Sequence, residues 1–161
     1  MLHNVDGLLD EFQRNARRAG IVVPPRPAHE LQAAPHRPHA LPAGKCAVYA
    51  FSLSQSYGSA CSAGAHFLLK VGRVGPNSNA RFQSQHYNAN SSRSNLALSL
   101  LNGKEHWGRL GIDALTEAGV GDWIRNSTDR DNLFLDTAND ALLPNLERTL
   151  LGMLWPLFEA G

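Results

Sequence analysis

The sequence predicts a mixed α/β (α+β) domain, and three observations carry that prediction. Residues 46–53 (CAVYAFSL) and 66–72 (HFLLKVG) are apolar runs on either side of a Ser/Gly-rich break, the pattern of an antiparallel hairpin with a long loop. The segments near both ends instead space their apolar residues for helices. The chain has 161 residues, 43% of them apolar and 18% charged, enough for one compact domain and too polar-balanced for a disordered or fibrous chain.

The elements follow in order. From Val5 to Arg18, residues Leu8, Leu9, Phe12 and Ala16 lie on one helical stripe, three arginines fall near the end where the helix dipole favours cations, and Gly20 supplies a stop. Six of the nine prolines lie between Pro24 and Pro42, which predicts an extended connector. The sequence is thus divided into an accessory helix (1–20), a Pro-rich strap (21–43) and a compact domain (44–161). After the hairpin, the turn Pro76–Asn79 leads into a short helix carrying Arg81, and Ser94–Leu101 predicts another. Asn132–Asp136 reads as a further short strand. The last helix is expected over roughly 142–158, with Pro144 tolerated in its first turn.

Composition also excludes. No apolar run approaches the roughly 20 residues that cross a bilayer, and the first residues lack the basic start and small-residue cleavage site of a signal peptide. Two cysteines make no disulfide framework, so a cytoplasmic location is expected. A zinc site drawn from His36, His39, Cys46 and Cys61 is opposed by the wide Cys spacing and the lack of a CxxC pair. Charge is unevenly spread: residues 45–109 hold seven Lys/Arg against Glu105 alone, whereas residues 110–161 hold three against nine acids. A basic middle suits phosphates and an acidic end suits a cation, unless the two simply pair across the fold.

Certain residues need a reason. In the last helix, Leu146, Leu150, Met153, Leu154, Leu157 and Phe158 share an apolar arc into which Glu147 intrudes. A carboxylate there must reach solvent, find a partner or hold a metal. Lys70 interrupts an apolar strand, either as the inward charge that protects an edge strand or as a functional cation. Tyr49 alternates with Phe51 and Leu53 on one strand face. Trp107, Trp123 and Trp155 read as core aromatics.

Taken in order, these residues resemble the GIY-YIG nuclease family. Ala47-Val48-Tyr49 is similar to the first triplet and Lys70-Val71-Gly72 to the second, followed by Arg73. Arg81 with the Ser84-Gln85-His86 string resembles the helix motif, and Leu146-Glu147 resembles the late helix bearing the metal-binding glutamate. The resemblance implies a small three-stranded antiparallel sheet flanked by helices and hydrolysis of DNA phosphodiesters with one Mg2+ or Mn2+. It implies that Tyr49 activates water, Arg81 holds the phosphate and Glu147 anchors the metal, with His86 in support. Arg73, Arg93 and Lys104 are the expected contacts to the DNA backbone. The sequence departs from the family twice. Lys70 stands where the second triplet has tyrosine, which leads us to expect that it lowers the Tyr49 pKa or contacts phosphate. His86 follows Arg81 by five residues, where the family has four. A homodimer is expected if both DNA strands are cut. Two other readings stay open at this level: a nucleic-acid-binding module without catalysis, and a protein-interaction domain whose first helix docks on a partner.

Overall fold

A computed structural model describes residues 4–58, 67–91 and 95–158. Its centre is an antiparallel sheet of four strands: β1 (Ala28–Gln32), β2 (Lys45–Leu53), β3 (Leu68–Val74) and β4 (Thr128–Asp136), in the order β1-β4-β2-β3. The mixed class matches the expectation, but the sheet has one strand more than expected. That strand comes from the Pro-rich segment, where Ala28–Gln32 pairs with Phe134–Arg130 of β4. Its sequence, AHELQ, has no β-branched residue. It is a strand because β4 offers it a ladder.

Helices cover both faces. On one face, α1 (Val5–Arg18) and α7 (Leu143–Leu154) pack against each other and the sheet, joining Leu8, Leu9 and Phe12 to Val48, Val71, Leu133, Leu146 and Leu150. The stripe that predicts α1 is therefore buried in the same core as the strands; residues 5–18 are part of the domain's packing. On the other face lie α3 (Asn79–Gln83), α4 (Leu96–Asn102), α5 (Trp107–Leu110) and α6 (Val120–Ser127). There Tyr49, Phe51 and Leu53 meet Phe82, Leu96, Leu100 and Ile124. A single helical turn, α2 (Gln55–Gly58), follows β2.

The final helix is shorter than its periodicity predicts. Pro144 sits in its first turn as expected, but the helix ends at Leu154, Trp155 takes a left-handed backbone (φ 48°), and Pro156 follows. The chain then turns back, and the amides of Leu157 and Phe158 donate to the carbonyls of Leu68 and Leu69 on the outer edge of β3. Phe158 thus enters the opposite core, Met153 is exposed, and Trp155, expected in the core, is 79% exposed. Trp107 and Trp123 are half-buried.

His36, although it belongs to the Pro-rich strap, is buried. Its Nδ1–H donates to the Thr128 carbonyl (2.8 Å), and its Nε2 accepts from the Tyr87 hydroxyl (2.9 Å). Burial, which the Thr128 carbonyl only partly offsets and the Arg130 charge reinforces, lowers its pKa to about 4. An unfolded imidazole takes up its proton near pH 6.5, so the unfolded chain binds more protons between 6.5 and 4 and stability falls as pH drops through that window. The loss attributable to His36 is at most about 3 kcal/mol. Urea titrations should show the wild type's lead over His36→Gln narrowing from pH 7 to pH 4; a constant lead would mean that His36 protonates normally.

Candidate active site at the β3 edge

β3 is one of the sheet's two edge strands, and the candidate residues gather along its open end beyond the Leu157–Phe158 cover. Tyr49 lies opposite Gly72 in the β2–β3 ladder, and its ring crosses directly above that glycine. A Cβ at Gly72 would stand 2.7 Å from the Tyr49 hydroxyl, so the glycine of the second triplet is what lets the phenol reach the edge. The ring is fully buried, edge-on to Phe51, Phe82 and His86.

The Tyr49 oxygen lies 2.5 Å from His86 Nε2. His86 Nδ1 accepts from the Leu96 amide (3.2 Å), which leaves the ring proton on Nε2, donated to the phenol oxygen. The irregular spacing from Arg81 has a local cause. α3 stops at Gln83, Ser84 leaves helical geometry (φ −130°, ψ −26°), and a separate 3-10 turn over Gln85–Tyr87 swings His86 back to Tyr49. Burial, then the Arg130, Lys70 and Arg81 charges, hold His86 well below its usual pKa, so the imidazole is neutral.

Arg81 lies close enough for its charge to act on the Tyr49 phenol, and its Nε is buried without a hydrogen-bond partner. Burial leaves the phenol pKa raised on balance, although Arg81 and then Arg130 pull it down, while Glu147 adds to the rise. The lowering expected from Lys70 is not found, since Lys70 is not among the charges that act on the phenol. Lys70 is buried opposite Phe51 on the Tyr49 side of the sheet, at an irregularity in the ladder, and burial followed by Arg81 lowers its pKa. Lys70 thus faces inward beside the site.

Glu147 arrives from α7 on the other face. Its carboxylate is half-buried and 3.3 Å from Arg73 Nε. Burial raises its pKa despite Arg73 and Arg81. Its intrusion into the apolar arc is therefore answered by a partner. Arg73 and Arg81 line a pocket of about 280 Å3 with Gly75, Asp140, Leu143 and Pro144.

Tyr49, Lys70, Arg81, His86, Glu147 and Arg73 thus occupy one neighbourhood, drawn from five elements. Lys104 stands apart, exposed over the Trp107 ring (5.8 Å) with no contact to this group among the described residues. Arg93 and Cys61 lie outside the described residues. Cys46 is a buried thiol on β2, His39 pairs with Glu30, and no group of three or more His, Cys, Asp or Glu suited to a metal occurs among the described residues.

Sequence reasoning missed Arg130. It is fully buried on β4, opposite Phe51, with its guanidinium 4.1 Å from the Phe82 ring centre, 5.1 Å from Tyr49 and 5.3 Å from Phe51. It donates to Asn132 Oδ1 and the Phe82 carbonyl (both 2.9 Å) and to the Tyr87 hydroxyl (3.3 Å), while one terminal nitrogen is left unpaired. The Phe82 bond ties the helix that carries Arg81 to the sheet. Only the alternation along β4, which puts residue 130 on the Tyr49 face, could have signalled it.

No family model matches the chain, and no curated protein or solved structure is significantly similar to it.

Proposed function

We propose that the protein is a divalent-metal-dependent endonuclease of the GIY-YIG kind that hydrolyses DNA phosphodiester bonds. The observation that carries this reading is the phenol oxygen of Tyr49, which lies 2.5 Å from His86 Nε2 and within reach of the Arg81 and Glu147 charges. Hydrolysis of a phosphodiester needs a group to take the water's proton, cationic donors for the charge that develops on the phosphate, and oxygen ligands for a hard metal.

In this reading Tyr49 takes the proton of the attacking water. To do so it must first lose its own proton to solvent, and the His86 hydrogen bond and the Arg81 charge favour that phenolate against the burial that holds the phenol pKa up. Arg81, already at the mouth of a pocket that it shares with Arg73, holds the scissile phosphate. Lys70 adds positive charge beside Arg81. Arg73 contacts the backbone, while Lys104, which stands apart over Trp107, takes no part in this group. Glu147 fits Mg2+ or Mn2+: it is one partly exposed carboxylate, and these ions keep most of their water and take one or two carboxylates plus phosphate oxygens. When bound, such an ion neutralises charge on the phosphate and the leaving oxygen.

The test is the conversion of supercoiled plasmid to open circle with Mg2+ or Mn2+, followed by linear and branched DNA. Nicking is expected to need the metal and to fall by about 10²- to 10³-fold in Glu147→Gln, the size seen when one charge-stabilising group is removed. Metal-independent cutting, or a Glu147→Gln protein as active as its parent, contradicts the mechanism. The complete burial of Tyr49 favours a second reading, a nucleic-acid-binding site without catalysis; it would give salt-sensitive DNA binding with no nicking. Cutting of both strands by so small a site calls for two copies, so we propose a homodimer on DNA. No described helix is long and apolar enough to cross a membrane, and the reduced Cys46 suits the cytoplasmic location that we propose.

A further inference from the structure

Two other shallow pockets lie between α1 and α7 around Asn15, Arg148 and Thr149, and they hold no convergent buried polar group. Val22, Val23 and Trp155 are exposed, with nothing to indicate what would cover them. The Arg73–Glu147 ion pair carries an inference, because each of its members already has another task.

We propose that Arg73 is the counter-ion that keeps Glu147 closed to a cation until nucleic-acid phosphate draws Arg73 away, so that metal binding and DNA binding are coupled. The inference rests on the proposed nuclease reading and adds an order of events to it. Arg73 Nε lies 3.3 Å from Glu147 Oε2, so it engages a carboxylate oxygen that a cation would need. The same guanidinium borders the pocket lined by Arg81 and Asp140. A guanidinium between a carboxylate and an anion pocket is shared by whichever is present, and a phosphodiester offers it two oxygens in the planar geometry it prefers.

The exposures set the direction of the exchange. The Arg73 side chain is 44% exposed and free to swing, whereas Glu147 is 19% exposed and held by α7. When phosphate takes Arg73, the half-buried carboxylate is left uncompensated, which is costly unless a cation replaces it. The phosphate itself supplies further oxygens for that cation. Coupling of this kind is reciprocal: DNA tightens the metal by the same factor as the metal tightens DNA.

The experiment has two arms, neither of which reads catalysis. The first measures Mn2+ binding to the free protein by electron paramagnetic resonance. Arg73→Gln, a change at an exposed position, is expected to bind Mn2+ roughly five- to tenfold more tightly than wild type. Arg73→Lys should retain the wild-type weakness, and the double variant with Glu147→Gln should lose the gain. The second arm measures the affinity for a fluorescein-labelled DNA duplex by anisotropy, with and without Ca2+. Ca2+ should tighten DNA binding by wild type about tenfold and by Arg73→Gln markedly less. If Arg73→Gln gains no Mn2+ affinity, or if Ca2+ helps both proteins equally, the coupling is overturned while the nuclease reading stands. If wild type binds no DNA in either condition, the nuclease reading fails and takes the coupling with it.

Discussion

Phenylalanine in place of Tyr49 is expected to slow plasmid nicking by about 10²- to 10⁴-fold, the range for removing a positioned general base. The substitution deletes one oxygen and leaves the ring among Phe51, Phe82, His86 and Arg130. Folding is weakened but not lost: the buried His86 Nε2–H is left without its acceptor, which costs about 1–3 kcal/mol. The informative result is a large loss of rate in a protein that still melts cooperatively. Initial rates of open-circle formation in Mn2+, alongside calorimetry, provide both numbers. Nicking at the parental rate by a folded Tyr49→Phe protein would leave the phenol without a chemical role.

The second large effect concerns stability. Phe12→Ala should cost about 3–5 kcal/mol, because the ring is fully buried between α7 and the sheet. A domain of this size has only about 5–15 kcal/mol in total. Removal of residues 1–20, which also strips Leu8 and Leu9 from the core, should therefore abolish the cooperative urea transition followed by circular dichroism. An unchanged midpoint in the truncated chain would make α1 an appendage, as the reading of 1–20 as an accessory helix supposes.

The sequence reveals those parts of the fold whose own patterns are strong. The stripe Leu8-Leu9-Phe12-Ala16 gives α1 its limits, although not what it packs on, since a stripe says that a partner exists and not which one. The β2–β3 hairpin and the start of α7 are equally legible. β1 is not, because AHELQ has no strand pattern and owes its conformation to β4. The first half of β4 is hidden for the opposite reason. Thr128 to Asn132 is a run of polar residues that reads as a loop, yet β4 lies between β1 and β2 and all five are buried. Their polar groups find partners from distant segments: the Ala34 amide on Asp129, His29 on Asp131, and Glu30 on Asn132. Within the site, residue types and order make Tyr49, Arg81 and Glu147 candidates, and the break at Ser84 explains why counting along a continuous helix misplaces His86. The ion pair of Glu147 with Arg73 joins residues 74 positions apart on different elements, and no local pattern records it.

The pairing of β1 with β4 has a consequence for how the molecule is made. Residues 28–32 leave the ribosome long before their ladder partners at 130–134 exist, and α1 waits longer still for α7. The β2–β3 hairpin closes locally, but α1 and β1 close on late-made partners, so topology weights the core towards long-range contacts that form slowly. Until they form, the nascent chain carries Leu8, Leu9 and Phe12 uncovered, the kind of exposed apolar surface that favours aggregation.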